Sequence, residues 1–312
     1  MYAQHYTFTA DASHPGVPIV LTSDVMARPG RATVGEVYTQ AISDLNAGIS
    51  RMTLDRYPPH MMSRTGAQAI LSRIYLYMED WNQAAAMADS VIESGKYGLA
   101  TGANYVNQFA IGASPEAIFE LEYNSADRQG NEGIGGMYRA TGYGDYLPSK
   151  DVLNLIPADD IRNQMFVEDP LLTGIYASMR VNKWPLAPGD DNVPVIRLSE
   201  VYLNRAEANA HLSRTDEAQS DLDLIRKRGL ATAPDVTATG QALLDEILIE
   251  RRIELVGEGH RIHDLMRYKQ DVVRVDNTST RASMSYPCNF CILPIPFEEV
   301  DVNPNITQNA GY

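Results

Sequence analysis

The strongest constraint on this chain is a pair of helical hairpins, each setting small residues on one helix against large ones on its neighbour. In the first, Ser63 is placed to cap a helix running to about Glu79, with Ile70, Leu71, Ile74 and Tyr75 inward. Asp80 and Trp81 make the turn. Asn82 to Glu93 forms the return helix with Ala84, Ala85, Ala88 and Val91 inward, and Gly95 stops it. In the second, Ile196 to Leu212 carries Val201, Leu203, Ala206, Ala208 and Ala210. Ser213 to Thr215 turns, and Asp216 to Arg228 returns with Ala218, Leu222 and Ile225 inward. Small residues against large ones let two helix axes approach closely.

The positions Leu71, Ser72, Tyr75, Asp80, Trp81, Ala84, Ala88 and Val91 resemble a tetratricopeptide hairpin, whose arrays repeat every ~34 residues. Ala84 and Ala218 hold matching places yet lie 134 positions apart. The chain is therefore no regular solenoid, and a long insert divides its hairpins. Before them, residues 1–32 read as irregular. A further amphipathic helix then starts at Thr33, with Glu36 completing a capping box. The insert, about Ala100 to Pro194, opens with an alternating strand from Ala117 to Tyr123. A loop from Asn124 to Pro148 follows, rich in Gly, Asn and Tyr, and a loop this long inside a compact domain is usually functional. Tyr176, Trp184 and Pro185 lie further on, near a Pro/Gly/Asp turn. Helices at about Gln241–Gly257 and Gly259–Lys269 precede an irregular end.

The expectation is a mainly α fold: tetratricopeptide-like hairpins, a long loop-rich insert and few short strands. One domain spans 1–312, with a hairpin region at 33–99, the insert at 100–194, a second hairpin with further helices at 195–270, and an irregular segment at 271–312. The chain carries 26 Lys and Arg against 40 Asp and Glu, a net charge of −14. Such a surface repels phosphate backbones, so nucleic acid is not expected as a partner, whereas neutral glycans or peptides are not penalised. Apolar runs such as Val17–Leu21 are too short to span a bilayer, and Met1 to Tyr6 shows no signal-peptide pattern. Cys288 and Cys291 form a lone C-x-x-C. Zinc or redox use is less expected there than two small, half-buried residues beside a C-terminal strand.

Several segments in one order resemble the SusD/RagB family. They are Arg197-Leu198-Ser199-Glu200-Val201-Tyr202-Leu203-Asn204-Arg205-Ala206-Glu207-Ala208, then Glu250-Arg251-Arg252-Ile253-Glu254-Leu255 running through Glu258-Gly259-His260-Arg261 to Asp264, Leu265 and Arg267. The closing stretch Leu293-Pro294-Ile295-Pro296, Glu299, Asn303-Pro304-Asn305, Gln308-Asn309 and Gly311-Tyr312 is similar too, as are Gly95-Lys96-Tyr97 and Gly16-Val17-Pro18. The resemblance implies a non-enzymatic cell-surface protein of the outer membrane, binding oligosaccharide or peptide beside a TonB-dependent, SusC-like transporter. Family members usually begin with a signal peptide, a lipidated cysteine and a first helical repeat. None precedes Met1, so the chain reads as the latter part of a longer protein or a shortened relative, with the lipid anchor belonging to the full-length form.

No cofactor or metal is expected. His260 and His263 share a helical face beside Glu258 and Asp264, but the matching family segment is structural. Arg251 can reach Glu254, and Arg261 can reach Glu258 or Asp264. Carboxylates so neutralised suit no glycosidase acid, so a hydrolase is the weaker reading. Asn131 to Gly136 lacks the Lys-Ser/Thr ending of a phosphate loop. Sugars instead pair apolar ring faces with polar edges. Tyr138, Tyr143, Tyr146 and Trp184 are therefore the candidate aromatic platform, with Asn131, Arg139 and Asp145 as its polar partners. The rival reading is a tetratricopeptide protein–protein scaffold, which the 134-residue gap opposes.

Overall fold

The computed structural model describes residues 1–110, 114–172, 179–186, 189–276 and 282–312. Local signals set most helix boundaries. The Thr33 hydroxyl accepts from the Glu36 amide at 3.1 Å while Glu36 accepts from the Thr33 amide at 2.8 Å, opening α1 (Val34–Arg51). Ser63 accepts from Gly66 at 3.1 Å to start α2 (Arg64–Met78), and Asp80 caps α3 (Trp81–Glu93). Gly95, with φ of 61°, adopts the left-handed conformation that ends this helix at little steric cost.

The insert holds α4 (Ala103–Asn107), β1 (Ala117–Leu121), α5 (Ile134–Tyr138), α6 (Lys150–Leu153), β2 (Phe166–Glu168) and β3 (Met179–Val181). It returns through β4 (Val193–Arg197), antiparallel to β1 with Ala117 opposite Arg197 and Leu121 opposite Val193. The expected helix from Ile196 therefore starts later. Pro194, Val195 and Ile196 belong to the strand, and Arg197 has extended φ and ψ of −133° and 162° before α7 (Leu198–His211). The β-branched Val195 and Ile196 favour the strand, and Pro194, which has no amide to donate, is tolerated because both strands of this two-stranded pair are edges. The loop at 124–148 is likewise more ordered than its composition suggests, because α5 and a short turn at Gly130–Glu132 lie within it.

Beyond lie α8 (Thr215–Gly229), α9 (Gly240–Glu254), α10 (Arg261–Arg267), β5 (Val272–Val273), β6 (Ser283–Met284) and α11 (Phe297–Val302). The helix expected to reach Gly257 stops at Glu254, since Gly257 and Gly259 have φ of 79° and 84°. In space, α3 packs extensively on α7, just as α2 packs on α3 and α7 on α8. The 134-residue separation thus closes: the hairpins stack as neighbours while the insert leaves and returns through the β1–β4 pair. Ala84, Ala88, Ala206, Ala208 and Ala218 are fully buried at these contacts. The insert has its own apolar cluster of Tyr105, Phe109, Met165, Val181 and Trp184, which also takes Ile253 of α9.

Between these bodies runs a buried ion network. Arg197 donates to Glu254 at 2.7 Å, Glu116 at 3.1 Å and Glu258 at 2.8 Å, while Arg228 meets Glu254 at 2.5 Å. Lys183 of the insert reaches Glu258 at 2.5 Å, and Arg162 binds Asp160 and Glu250. Arg73 pairs with Glu200 at 2.5 Å, and Arg267 with Glu207 and Asp264. The pairings expected within single helices are replaced by these long-range ones. Arg251 turns to Asn204 at 2.8 Å and Asp264 at 3.3 Å rather than to Glu254. Glu258 and Asp264 are taken by other cations, and among the described residues no carboxylate lies within ion-pair distance of Arg261. His260 lies 3.7 Å from Glu200, and His263 stacks on Tyr77 at 5.7 Å. Cys288 and Cys291, expected as two small, half-buried residues, form a disulfide across a Cα separation of 5.3 Å, with Cys288 buried.

Candidate functional site

The aromatic loop is built on close backbone contacts. A Cβ on Gly136 would overlap the Asn131 carbonyl, and one on Gly142 would overlap the Gly136 carbonyl. The Tyr143 amide donates to that same Gly136 oxygen at 2.8 Å, and the Tyr146 amide donates to Met137 at 3.2 Å. Residues 140–146 therefore fold back over α5.

This fold-back lines up three rings. Trp184 is only 2% exposed and sits in the core of the insert. Tyr138 stacks on it, with centroids 5.0 Å apart and planes 23° from parallel, and donates its hydroxyl to Gly257 at 3.0 Å. Burial, and then the nearby Glu258 charge, push the Tyr138 phenol up to about 12. Tyr146 follows at 5.9 Å from Tyr138 and is 58% exposed. The series runs from core to surface.

The other expected site residues divide between support and surface. Arg139 is buried. It donates to the carbonyls of Trp184 at 3.2 Å and Leu186, and lies 3.5 Å from Asp191. It fastens the loop to the Trp184 segment. Tyr143 is 51% exposed and donates its hydroxyl to Glu132, a bond that raises the phenol above its ordinary value. Asn131 and Asp145 are exposed. Tyr176 lies outside the described residues. The structure thus joins Trp184, Tyr138 and Tyr146 in one series, with Tyr143, Asn131 and Asp145 on the loop's outer side.

Under the loop is a hollow of about 320 Å³, within the size range of ligand pockets. Tyr138, Tyr146, Leu147 and Pro148 line it together with Arg251, Arg252 and Arg261. Sequence reasoning assigned Arg251 and Arg261 to ion pairs and passed over Arg252. Their place in the wall depends on where the loop folds back, which no local pattern encodes.

The SusD family model matches residues 173–312, and a second model, described as starch-binding associating with outer membrane, matches residues 1–76. A solved SusD superfamily protein from Bacteroides thetaiotaomicron is 30% identical, superposes with a TM-score of 0.88, and aligns over 99% of this chain and 73% of its own. The chain belongs to the SusD family. A solved SusD-like carbohydrate binding protein from Bacteroides vulgatus is 25% identical with a TM-score of 0.78, covering 98% of this chain and 72% of its own. SusD-like protein P25 of Formosa agariphila is 31% identical over 55% of this chain, and that match spans only 36% of P25. Within this SusD-family chain, two of the segments carrying the resemblance, residues 197–208 and 250–267, supply Arg197, Glu200, Glu207, Glu250, Glu254, Glu258, Asp264 and Arg267 to the buried ion network. Their charges are used inside the fold.

Proposed function

We propose that this SusD-family chain captures oligosaccharide without altering it, at the aromatic loop and the hollow beneath. The observation carrying the reading is the ring series Trp184, Tyr138 and Tyr146, anchored in the core and ending in an exposed face above that hollow. A rigid aromatic face suits the apolar side of a sugar ring and loses little entropy on binding. Tyr143 and Tyr146 supply the faces, Asn131 and Asp145 the polar partners, and Tyr138, Arg139 and Trp184 the support behind them.

A relative described as carbohydrate binding and a family description naming starch support saccharide as the ligand class. The same description supports a place at the outer membrane, where the protein would be lipid-anchored beside a TonB-dependent, SusC-like transporter. A capture role without catalysis is supported by the state of the signature carboxylates. Burial would raise Glu258, but Arg197 and Lys183 hold it at about 2, whereas a general acid needs the reverse shift.

Titration calorimetry with maltoheptaose and with a mixed peptide library, followed by chromatography of the saccharide, tests the reading. Saturable saccharide binding with intact ligand supports it. Binding of peptides alone, or release of shorter saccharides, contradicts it.

A further inference from the structure

The chain as a whole is strongly acidic, yet the hollow under the aromatic loop is not. Its lining includes Arg251, Arg252 and Arg261 and a single carboxylate, Asp264, which is already shared by Arg251 and Arg267. Among the described residues Arg252 has one ion-pair partner, Asp151, a half-buried residue outside that lining. Arg261 is exposed, and among the described residues it has no carboxylate within ion-pair distance, because Glu258 and Asp264 are spent elsewhere. Arg251 is buried at 1% exposure, and among the described residues its Nη2 has no hydrogen-bond partner. A buried donor left unpaired is costly, and an acceptor entering the hollow could remove that cost.

We infer that this hollow takes an anionic sugar ring, bearing a carboxylate or a sulfate ester, with Arg252 and Arg261 recognising the charged group. The inference rests on the saccharide-capture reading and names its ligand class. Guanidinium forks match planar carboxylate and tetrahedral sulfate oxygens in paired hydrogen bonds. Tyr146, 58% exposed, lines the same hollow, so one sugar ring could stack on it while its anion meets the arginines. A second hollow of about 590 Å³ shares Leu147, Pro148, Arg252 and Arg261 with the first but is also lined by Asp151, Asp271 and Asp276, so the charged ring belongs in the first hollow and only neutral units would extend into the second. Net charge favours neutral ligands on average; the local cluster reverses that preference at this one place.

The test is titration of the whole chain with trigalacturonate, sulfated neocarratetraose and maltotetraose at low and high salt, repeated on Arg261→Gln and Arg252→Gln. Arg261→Gln removes no ion pair seen among the described residues, so its melting temperature should match the parent. The inference expects one anionic saccharide to bind about tenfold tighter than maltotetraose at low salt. That advantage over maltotetraose should be lost in both variants and should shrink with salt in the parent. Which anion prevails separates the carboxylate source from the sulfate source. Equal binding of all three, or an anionic preference that both variants keep, overturns the inference and leaves saccharide capture standing. If none of the three binds, the capture reading fails and takes this inference with it.

Discussion

The Arg197 guanidinium lies 2.7 Å from the Glu254 carboxylate, across 57 residues of sequence and with both side chains buried. This contact joins the strand that closes the insert to the end of α9. Glu254 also meets Arg228 and Arg162, and although burial would raise it, Arg228, Arg197 and Arg162 hold it well below the usual carboxylate range. Replacing Glu254 by Gln leaves several buried guanidinium charges under-compensated. The expected loss is about 3–5 kcal/mol of folding stability, measured by urea unfolding. A loss below about 1 kcal/mol would show that the network is not what holds the insert to the helices.

Much of the helical frame was legible because its signals are local. Ser63, Asp80 and Thr33 each cap the next helix through an interaction three residues away, and Gly95 needs only its own conformation to end one. Long-range features were not legible. Nothing near Arg251 says that it will choose Asn204 over Glu254, and the strand at Val193–Arg197 forms because Ala117–Leu121 lies beside it. The candidate site was half legible: its aromatic and glycine content marked the loop, while the burial of Trp184 and Arg139 depended on tertiary packing.

Tyr146 and Trp184 separate binding from stability within one ring series. Tyr146→Ala removes an exposed ring, so saccharide affinity should fall roughly tenfold, about 1.4 kcal/mol, with little change in melting temperature. Trp184→Ala empties a core position and should cost about 3–5 kcal/mol of stability. Calorimetry and thermal melts on both variants read the difference. A Tyr146→Ala protein that binds as well as the parent would remove that ring from the site.

Acid should destabilise the protein in two stages. Burial is the main reason His263 is pushed down to about 4, so below about pH 6.5 the unfolded chain takes a proton that the folded one refuses. Glu258, held at about 2, contributes stability that is present above its ordinary range near 4.5 and is lost as pH falls towards 2. Melting temperatures from pH 8 to 3 should decline below about 6.5 and again below about 4.5. His263→Phe should shrink the first stage and Glu258→Gln the second. Stability that stays level from pH 7 down to 3 would contradict both assignments.

Gly136 tests the loop's architecture without touching a ring. A methyl group there meets the Asn131 carbonyl, a backbone atom that cannot swing aside. Gly136→Ala should cost about 1–3 kcal/mol and weaken saccharide binding, whereas Gly98→Ala, with open space around its Cβ, should do neither. Unchanged melting and binding in Gly136→Ala would mean that the fold-back of residues 140–146 does not shape the site.

The central claim is that an oligosaccharide is held, intact, by the exposed end of the ring series. Its most direct measurement is calorimetric titration of a saccharide panel, neutral and anionic, into the parent and into a Tyr143→Ala/Tyr146→Ala variant, with chromatography of the recovered ligand. The account predicts saturable binding by the parent, loss of that binding in a variant that still melts like the parent, and ligand recovered at its original length. Binding that survives loss of both tyrosines, or ligand recovered as shorter saccharides, would contradict it.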